Sequence, residues 1–473
     1  MKVDYTKLDR AFNPKCLVVV GDRREGDFRW IRAQGNFKGK LYSVQVNPES
    51  IKGIEALGVK NYTSLVDIPE PIDLVIVCVP RAIAPQILED CIKKDVAAAH
   101  FFTAGFAETD TEEGRKLDRL VTERAIKANF HLIGPNCMGI FNPRVGIKQV
   151  TEEYDGFAGP VGFISQSGNN AIEFAIEAHA QGVDINKSVS FGNGVVITAT
   201  DYLEYFDSDE DNKIIGMYLE GLRDGPRFLN VLKKVTARKP VVIWKGGRTG
   251  EGGRAIASHT ASLAISQTIW NTAMRQCGAI GVTSREELID TLKALAYLSP
   301  VVGNRVGITG GSGGQSVASA DVFAEAELEV PVLTQESRDE LASFYRLIGG
   351  GFGNPIDTGN DNRREMQRIL DILERDANID NLVMILGLTT RFRTPEEMEG
   401  IANLLIETRE QTSKPVMLIT PSSTLEGMQR AVGITQKLHG AGVPVFPSFE
   451  RAARALRNAR EYYRLKNVSN AQN

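Results

Sequence analysis

Cysteine is scarce and scattered in this chain. The five residues, Cys16, Cys78, Cys91, Cys137 and Cys277, form no C-x-x-C pair, which argues against a disulfide framework or a structural zinc site and fits a reducing compartment. No apolar core follows Met1, and no run reaches the ~18 apolar residues of a membrane span, so export and membrane insertion lack support. No Lys/Arg stripe is present, and the formal net charge is only -4, so nucleic acid is an unexpected partner. Histidine is rare too, with five in 473 residues, and no His/Asp/Glu group has metal-ligand spacing. A soluble cytoplasmic protein without a metal site of its own is the expectation.

What is present is a repeated α/β grammar. Short Val/Ile-rich runs (Cys16–Val20, Leu74–Val79, Ala97–Phe102) alternate with helix-like segments (Pro85–Lys94, Glu112–Asn129), the pattern of a doubly wound parallel sheet. The pattern restarts at Val161-Gly-Phe-Ile164, followed by Ser165-Gln-Ser-Gly-Asn-Asn170, and again at Val306-Gly-Ile-Thr309, followed by Gly310-Gly-Ser-Gly-Gly-Gln315. Phe191-Gly-Asn193 recurs as Phe352-Gly-Asn354, and Arg238-Lys-Pro-Val-Val-Ile243 as Ser413-Lys-Pro-Val-Met-Leu418, so the second and third domains read as duplicated folds. The expected boundaries are 1–150, 151–300 and 301–473.

One loop breaks the duplication. Lys245–Ala264 is rich in Gly, Ser and Thr and carries His259, whereas the matching Thr420–Arg430 has no histidine. A neutral imidazole is nucleophilic at physiological pH and forms a labile phosphoramidate, which suits His259 to carry phosphate. Glycine-rich turns after Val20, Ile164 and Thr309 are places where backbone N–H groups and a helix start meet an anion, although glycine also serves turns for steric reasons alone. There is no G-x-G-x-x-G after Val20, and Asn47 stands where a dehydrogenase needs an acid, so nicotinamide chemistry is disfavoured.

Several motifs occur together in order: Phe102-Thr-Ala-Gly-Phe-Ala-Glu108, Ile133-Gly-Pro-Asn-Cys-Met-Gly139, Ile164-Ser-Gln-Ser-Gly168, Tyr218-Leu-Glu-Gly221, Ala257-Ser-His-Thr260 and Gly353-Asn-Pro-Ile-Asp357. As a set they resemble the α subunit of the NDP-forming (ADP-forming) acyl-CoA synthetases, relatives of succinyl-CoA synthetase, from about Lys15 to about Leu465. The resemblance implies an N-terminal Rossmann-like CoA-binding domain followed by two flavodoxin-like domains. It implies interconversion of acyl-CoA, ADP and phosphate with a carboxylic acid, CoA and ATP through an acyl phosphate and a phosphohistidine at His259.

By the same resemblance Glu220 orients the imidazole, and Ser167, Gly168 and Asn169 open the helix that holds phosphate. CoA would meet Gly21, Asn47, Pro48, Val79, Pro80, Thr103, Ala104, Gly105, Asn136 and Cys137, with Cys137 close to the thiol end but not a nucleophile. Mg-ADP or Mg-ATP would be bound by an ATP-grasp β subunit, in an α2β2 assembly, since the family's nucleotide module is absent from this sequence. Relatives usually follow the first strand with Gly-Ala-Ser, whereas this chain has Gly21-Asp22-Arg23-Arg24, so Arg23, Arg24 or Arg29 would compensate by pairing with CoA phosphate. A non-catalytic CoA- or acyl-CoA-binding regulatory or scaffold protein of the same fold is the alternative.

Overall fold

In the computed structural model, residues 2–254, 266–345, 352–358, 365–388, 394–422 and 424–471 are described; His259 lies outside them. The chain divides into two compact units, Met1–Thr283 and Ser284–Asn473.

The first unit contains two six-stranded sheets. Strands β1 (Cys16–Val20), β2 (Lys40–Val44), β3 (Lys60–Tyr62), β4 (Leu74–Val77), β5 (Ala98–Phe101) and β6 (His131–Ile133) form the first, in the order β3-β2-β1-β4-β5-β6 and parallel throughout. Every residue of β1, β4, β5 and β6 is buried, which is why these runs are apolar apart from His100 and His131 rather than alternating. Helices α1 (Tyr5–Phe12), α2 (Arg29–Ala33), α3 (Pro48–Ala56), α4 (Ala84–Lys93) and α5 (Glu112–Lys127) belong to this half. The last two fall within a residue or two of the helices expected from periodicity.

The second sheet is built from β7 (Gly139–Phe141), β8 (Val161–Ser165), β9 (Ile185–Ser190), β10 (Ile214–Leu219), β11 (Val241–Lys245) and β12 (Ile280–Val282), in the order β12-β11-β10-β8-β9-β7. It carries α6 (Gly168–Ala180), α7 (Ala199–Ser208) and α8 (Gly225–Thr236). Its edge strand β7 runs antiparallel to β9, so the chain crosses into the second sheet at Gly139 and not within the polar stretch near Thr151. The N-terminal helix also reaches across: Phe12 packs on Tyr202, Tyr205 and Phe206 of α7 with ring centroids 4.9–6.5 Å apart.

Backbone bonds close the seam between the two sheets. Asn193 N donates to Pro135 O at 3.0 Å, Val195 N to Gly134 O at 3.1 Å, and Met138 N to Ser190 Oγ at 3.1 Å. The approach is close enough to demand glycine at 192, where φ is +50° and a Cβ would stand 2.1 Å from Asn136 O.

In the second unit β13 (Val306–Thr309), β14 (Asn381–Ile385), β15 (Val416–Ile419) and β16 (Val445–Phe446) form a parallel sheet in sequence order. Helix Arg285–Tyr297 belongs to this unit and packs on Phe449–Ala471 through a bidentate Arg451–Asp290 pair at 2.6 and 2.8 Å. Among the described residues no helix is long and apolar enough to cross a membrane.

The seam yields a stability prediction. Gly192→Ala should lower the unfolding free energy by more than about 1 kcal/mol, read from urea denaturation, because the Cβ meets backbone and the φ is positive. An unchanged midpoint would contradict this account of the contact.

Candidate functional site

Parallel strands put all their carboxyl ends on one edge, and that edge of the first sheet gathers the residues expected to meet CoA. Gly21 follows β1 with φ +88°, donates its N–H to Val44 O at 3.0 Å, and lies so near Val79 that a Cβ would stand 2.5 Å from Val79 Cγ1. Asn47 follows β2 and caps α3, its side chain accepting from Ser50 N at 3.0 Å, with Pro48 in the first turn. Val79 and Pro80 follow β4; Thr103, Ala104 and Gly105 follow β5; Asn136 and Cys137 follow β6. Thr103 Oγ1 donates to Val79 O at 2.8 Å, and Asn136 N to Thr103 O at 3.1 Å, so neighbouring strand ends are laced together.

The departure at Asp22 has a structural explanation. Its buried carboxylate accepts from Ile31 N at 2.9 Å and Arg23 N at 3.1 Å, so the chain supplies its own anion to this loop. Burial raises the Asp22 pKa against those hydrogen bonds. Arg24 is exposed and lies 3.9 Å from Glu49, whereas Arg29 points to a different place.

That place is a cavity of about 360 Å³ at the seam, lined by Arg29, Phe102, Asn136–Met138, Gln166–Asn169, Ile172, Gly192 and Asn193. It therefore joins the end of β6 to the start of α6. Ser167 is the N-cap of α6, with its hydroxyl accepting from Asn170 N at 3.4 Å, and Ser165 Oγ fixes the turn by donating to Ser167 O at 2.6 Å. Gly168 is required by approach: a Cβ would stand 2.7 Å from Met138 Cγ. The first amides of the helix thus face the cavity where Asn136 and Cys137 also lie, an arrangement suited to an anion.

Glu220 stands just past β10, 6 % exposed. Gln166, which sequence reasoning passed over, aligns it: Gln166 Oε1 accepts from Glu220 N at 2.8 Å and Gly221 N at 3.1 Å. The Glu220 carboxylate accepts from Tyr218 OH at 3.1 Å; burial, and then this negative partner, pushes the phenol far above its usual range. Lys245, at the end of β11 and 4 % exposed, donates to Glu220 O at 2.8 Å and Gly246 O at 2.5 Å, and burial lowers its pKa. Its charge is spent on carbonyls, so it serves as a brace for this corner. The motifs quoted above contained Gln166 and Tyr218, but nothing in their spacing revealed this pairing.

Cys137 is 3 % exposed, and burial pushes its thiol up to about 12. The four histidines other than His259 have packing roles. His100 is fully buried beside Trp30, with its pKa lowered to about 3; His131 accepts from Asp4 N at 3.0 Å; His179 bonds Asp184 at 2.7 Å; His439 accepts from Val445 N at 3.2 Å. Among the described residues no cluster of three or more His, Cys, Asp or Glu could hold a metal ion. In the second unit the duplicated turn leads into helix Gly313–Glu325, where Asp357 Oδ2 stands 3.1 Å from the position of a Cβ on Gly313. A carboxylate already occupies the neighbourhood where the first copy leaves room for an anion.

The chain is also similar in sequence and fold to known proteins. Residues 28–143 match the model of a CoA binding domain, and residues 158–295 that of a succinyl-CoA ligase like flavodoxin domain. The chain is 33 % identical over 455 residues to the α subunit of acetate–CoA ligase [ADP-forming] II from Pyrococcus furiosus, covering 95 % of this chain and 96 % of that one. It is 32 % identical to acetate–CoA ligase [ADP-forming] I from Archaeoglobus fulgidus, covering 95 % of this chain and 63 % of that longer protein. The solved dinucleotide forming acetyl-coenzyme A synthetase 1 of Ca. Korarchaeum cryptofilum, in complex with phosphate and ADP, superposes with a TM-score of 0.85 at 28 % identity, over 98 % of both chains.

The buried thiol gives a prediction. Burial keeps the Cys137 thiol protonated at neutral pH. Maleimide should leave Cys137 unmodified in the native protein by peptide mass mapping, and Cys137→Ala should keep kcat within about threefold. Rapid modification, or loss of turnover, would contradict this.

Proposed function

The chain belongs to the family of ADP-forming acyl-CoA synthetases, and we propose that it is the CoA-binding, phosphohistidine-bearing α component of such an enzyme. Acyl-CoA, ADP and phosphate are interconverted with a carboxylic acid, CoA and ATP. The observation that carries the reading is the seam cavity, in which Asn136 and Cys137 of the CoA-side rim share one space with Ser167, Gly168 and Asn169 at the start of α6.

In this reading residues 1–150 bind CoA along the strand-end rim through Gly21, Asn47, Pro48, Val79, Pro80, Thr103, Ala104, Gly105, Asn136 and Cys137. The second sheet and its helices, from Gly139 to Thr283, form the phosphohistidine domain, and residues 284–473 a second flavodoxin-like domain used mainly in assembly. A phosphate oxygen attacks the thioester carbonyl; CoA leaves as the thiol, and the acyl phosphate remains with its phosphoryl oxygens on the α6 amides and Ser167. A His259 imidazole nitrogen then takes the phosphoryl group and the carboxylate departs. Finally the phosphohistidine transfers the group to ADP. Glu220 accepts the second imidazole N–H and stabilises the charge on the ring, the part a carboxylate plays in nucleophile triads.

The nucleotide, with Mg²⁺, is bound by an ATP-grasp β subunit, in an α2β2 complex working in the cytoplasm. The naming of the Pyrococcus relative as a subunit supports a partner. Labelled ATP, Mg²⁺ and the partner should give an acid-labile, base-stable label that His259→Ala abolishes. Glu220→Gln should slow labelling on the order of 100-fold. Unchanged labelling in His259→Ala would overturn the relay, and CoA binding without any label would favour a pure binder.

A further inference from the structure

We propose that Arg29 holds the phosphoryl oxygens of the reacting phosphate and acyl phosphate, and does not serve the phosphates of CoA. The inference rests on the reading above, that phosphate sits at the start of α6. Among the described residues lining the seam cavity, Arg29 is the one cation; Asn136, Gln166, Ser167, Asn169 and Asn193 are neutral, and Phe102, Cys137, Met138 and Ile172 are apolar or uncharged. A phosphate dianion or an acyl phosphate entering this space meets helix amides carrying only partial charge. Removing such an anion from water without a full countercharge is costly.

The guanidinium is poised to supply that charge. It lies over the rings of Trp30 and Phe102, 5.6 and 5.4 Å from their centroids, so aromatic faces support its plane while its N–H edge stays available. No carboxylate among the described residues stands within ion-pair distance of it. The other nearby cations are engaged elsewhere: Lys245 is bound to the carbonyls of Glu220 and Gly246, and Arg223 donates to Asn193 O at 3.0 Å. The opening loop, meanwhile, has filled its own anion position with Asp22, whose carboxylate accepts from Ile31 N. The segment from Gly21 to Ala33 thus places its carboxylate on the amides of Arg23 and Ile31 and its arginine, the first residue of α2, on the wall of the seam cavity.

The experiment uses the chain assembled with its partner and carrying Arg29→Gln or Arg29→Lys. In the direction consuming acyl-CoA, the KM for phosphate should rise about 10- to 100-fold in Arg29→Gln and less in Arg29→Lys. In the acid-activating direction the KM for CoA should stay within about twofold. Arg29→Lys keeps an alkyl stem against the rings and supplies the same reading if the glutamine variant fails to fold. A rise in the KM for CoA with phosphate unmoved would assign Arg29 to the CoA phosphates. A rise for the carboxylic acid alone would assign it to the acyl group, and no change in any KM would leave it without a binding role; each overturns the proposal. If wild-type protein forms phosphohistidine while the phosphate KM of Arg29→Gln is normal, this proposal fails and the reading it rests on stands.

Discussion

Everything at the site depends on the backbone seam between residues 134–138 and 190–195. Two sheets of similar construction would each have a serviceable strand-end edge, but neither edge alone contains both the residues proposed to meet CoA and the helix start proposed to hold phosphate. Hydrogen bonds from Asn193 N and Val195 N to the carbonyls of Pro135 and Gly134, together with strand β7 added to the second sheet, fix one edge against the other. The absence of a side chain at Gly192 lets the two backbones come that close. In the proposed reaction a thioester carbon and a phosphate must meet within bonding distance, and the seam would supply that proximity without a folding step in each turnover.

Charge is distributed around the seam by the same economy. Negative groups that would compete with phosphate are turned away or occupied: Glu220 is engaged by Tyr218, and Asp22 by the amides of its own loop. Lys245 braces the end of β10 through carbonyls and leaves the cavity to Arg29. The second unit shows the contrast, since a carboxylate, Asp357, stands beside the matching helix start.

Much of the fold was legible from apolar runs. Strands such as Cys16–Val20 and Val306–Thr309 are found where the runs lie, because buried parallel strands are continuously apolar. The turn into α6 was legible as well, since Ser followed by Gly after a strand is the local signature of an N-cap. Strand β7 was not: Gly139–Phe141 is three residues long, and its pairing with β9 is a tertiary contact with no local periodicity. Gln166 was hidden for a related reason. Its partner Glu220 lies 54 residues away, and no spacing rule connects them.

The central claim is that phosphate sits at the start of α6, within the seam. Crystals of the chain with its partner, soaked in phosphate, test it most directly. Tetrahedral density bonded to the amides and hydroxyl of Ser167, Gly168 and Asn169, facing Asn136 and Cys137, is the predicted result. Phosphate bound at helix Gly313–Glu325 of the second unit, with the seam cavity holding only water, would contradict it.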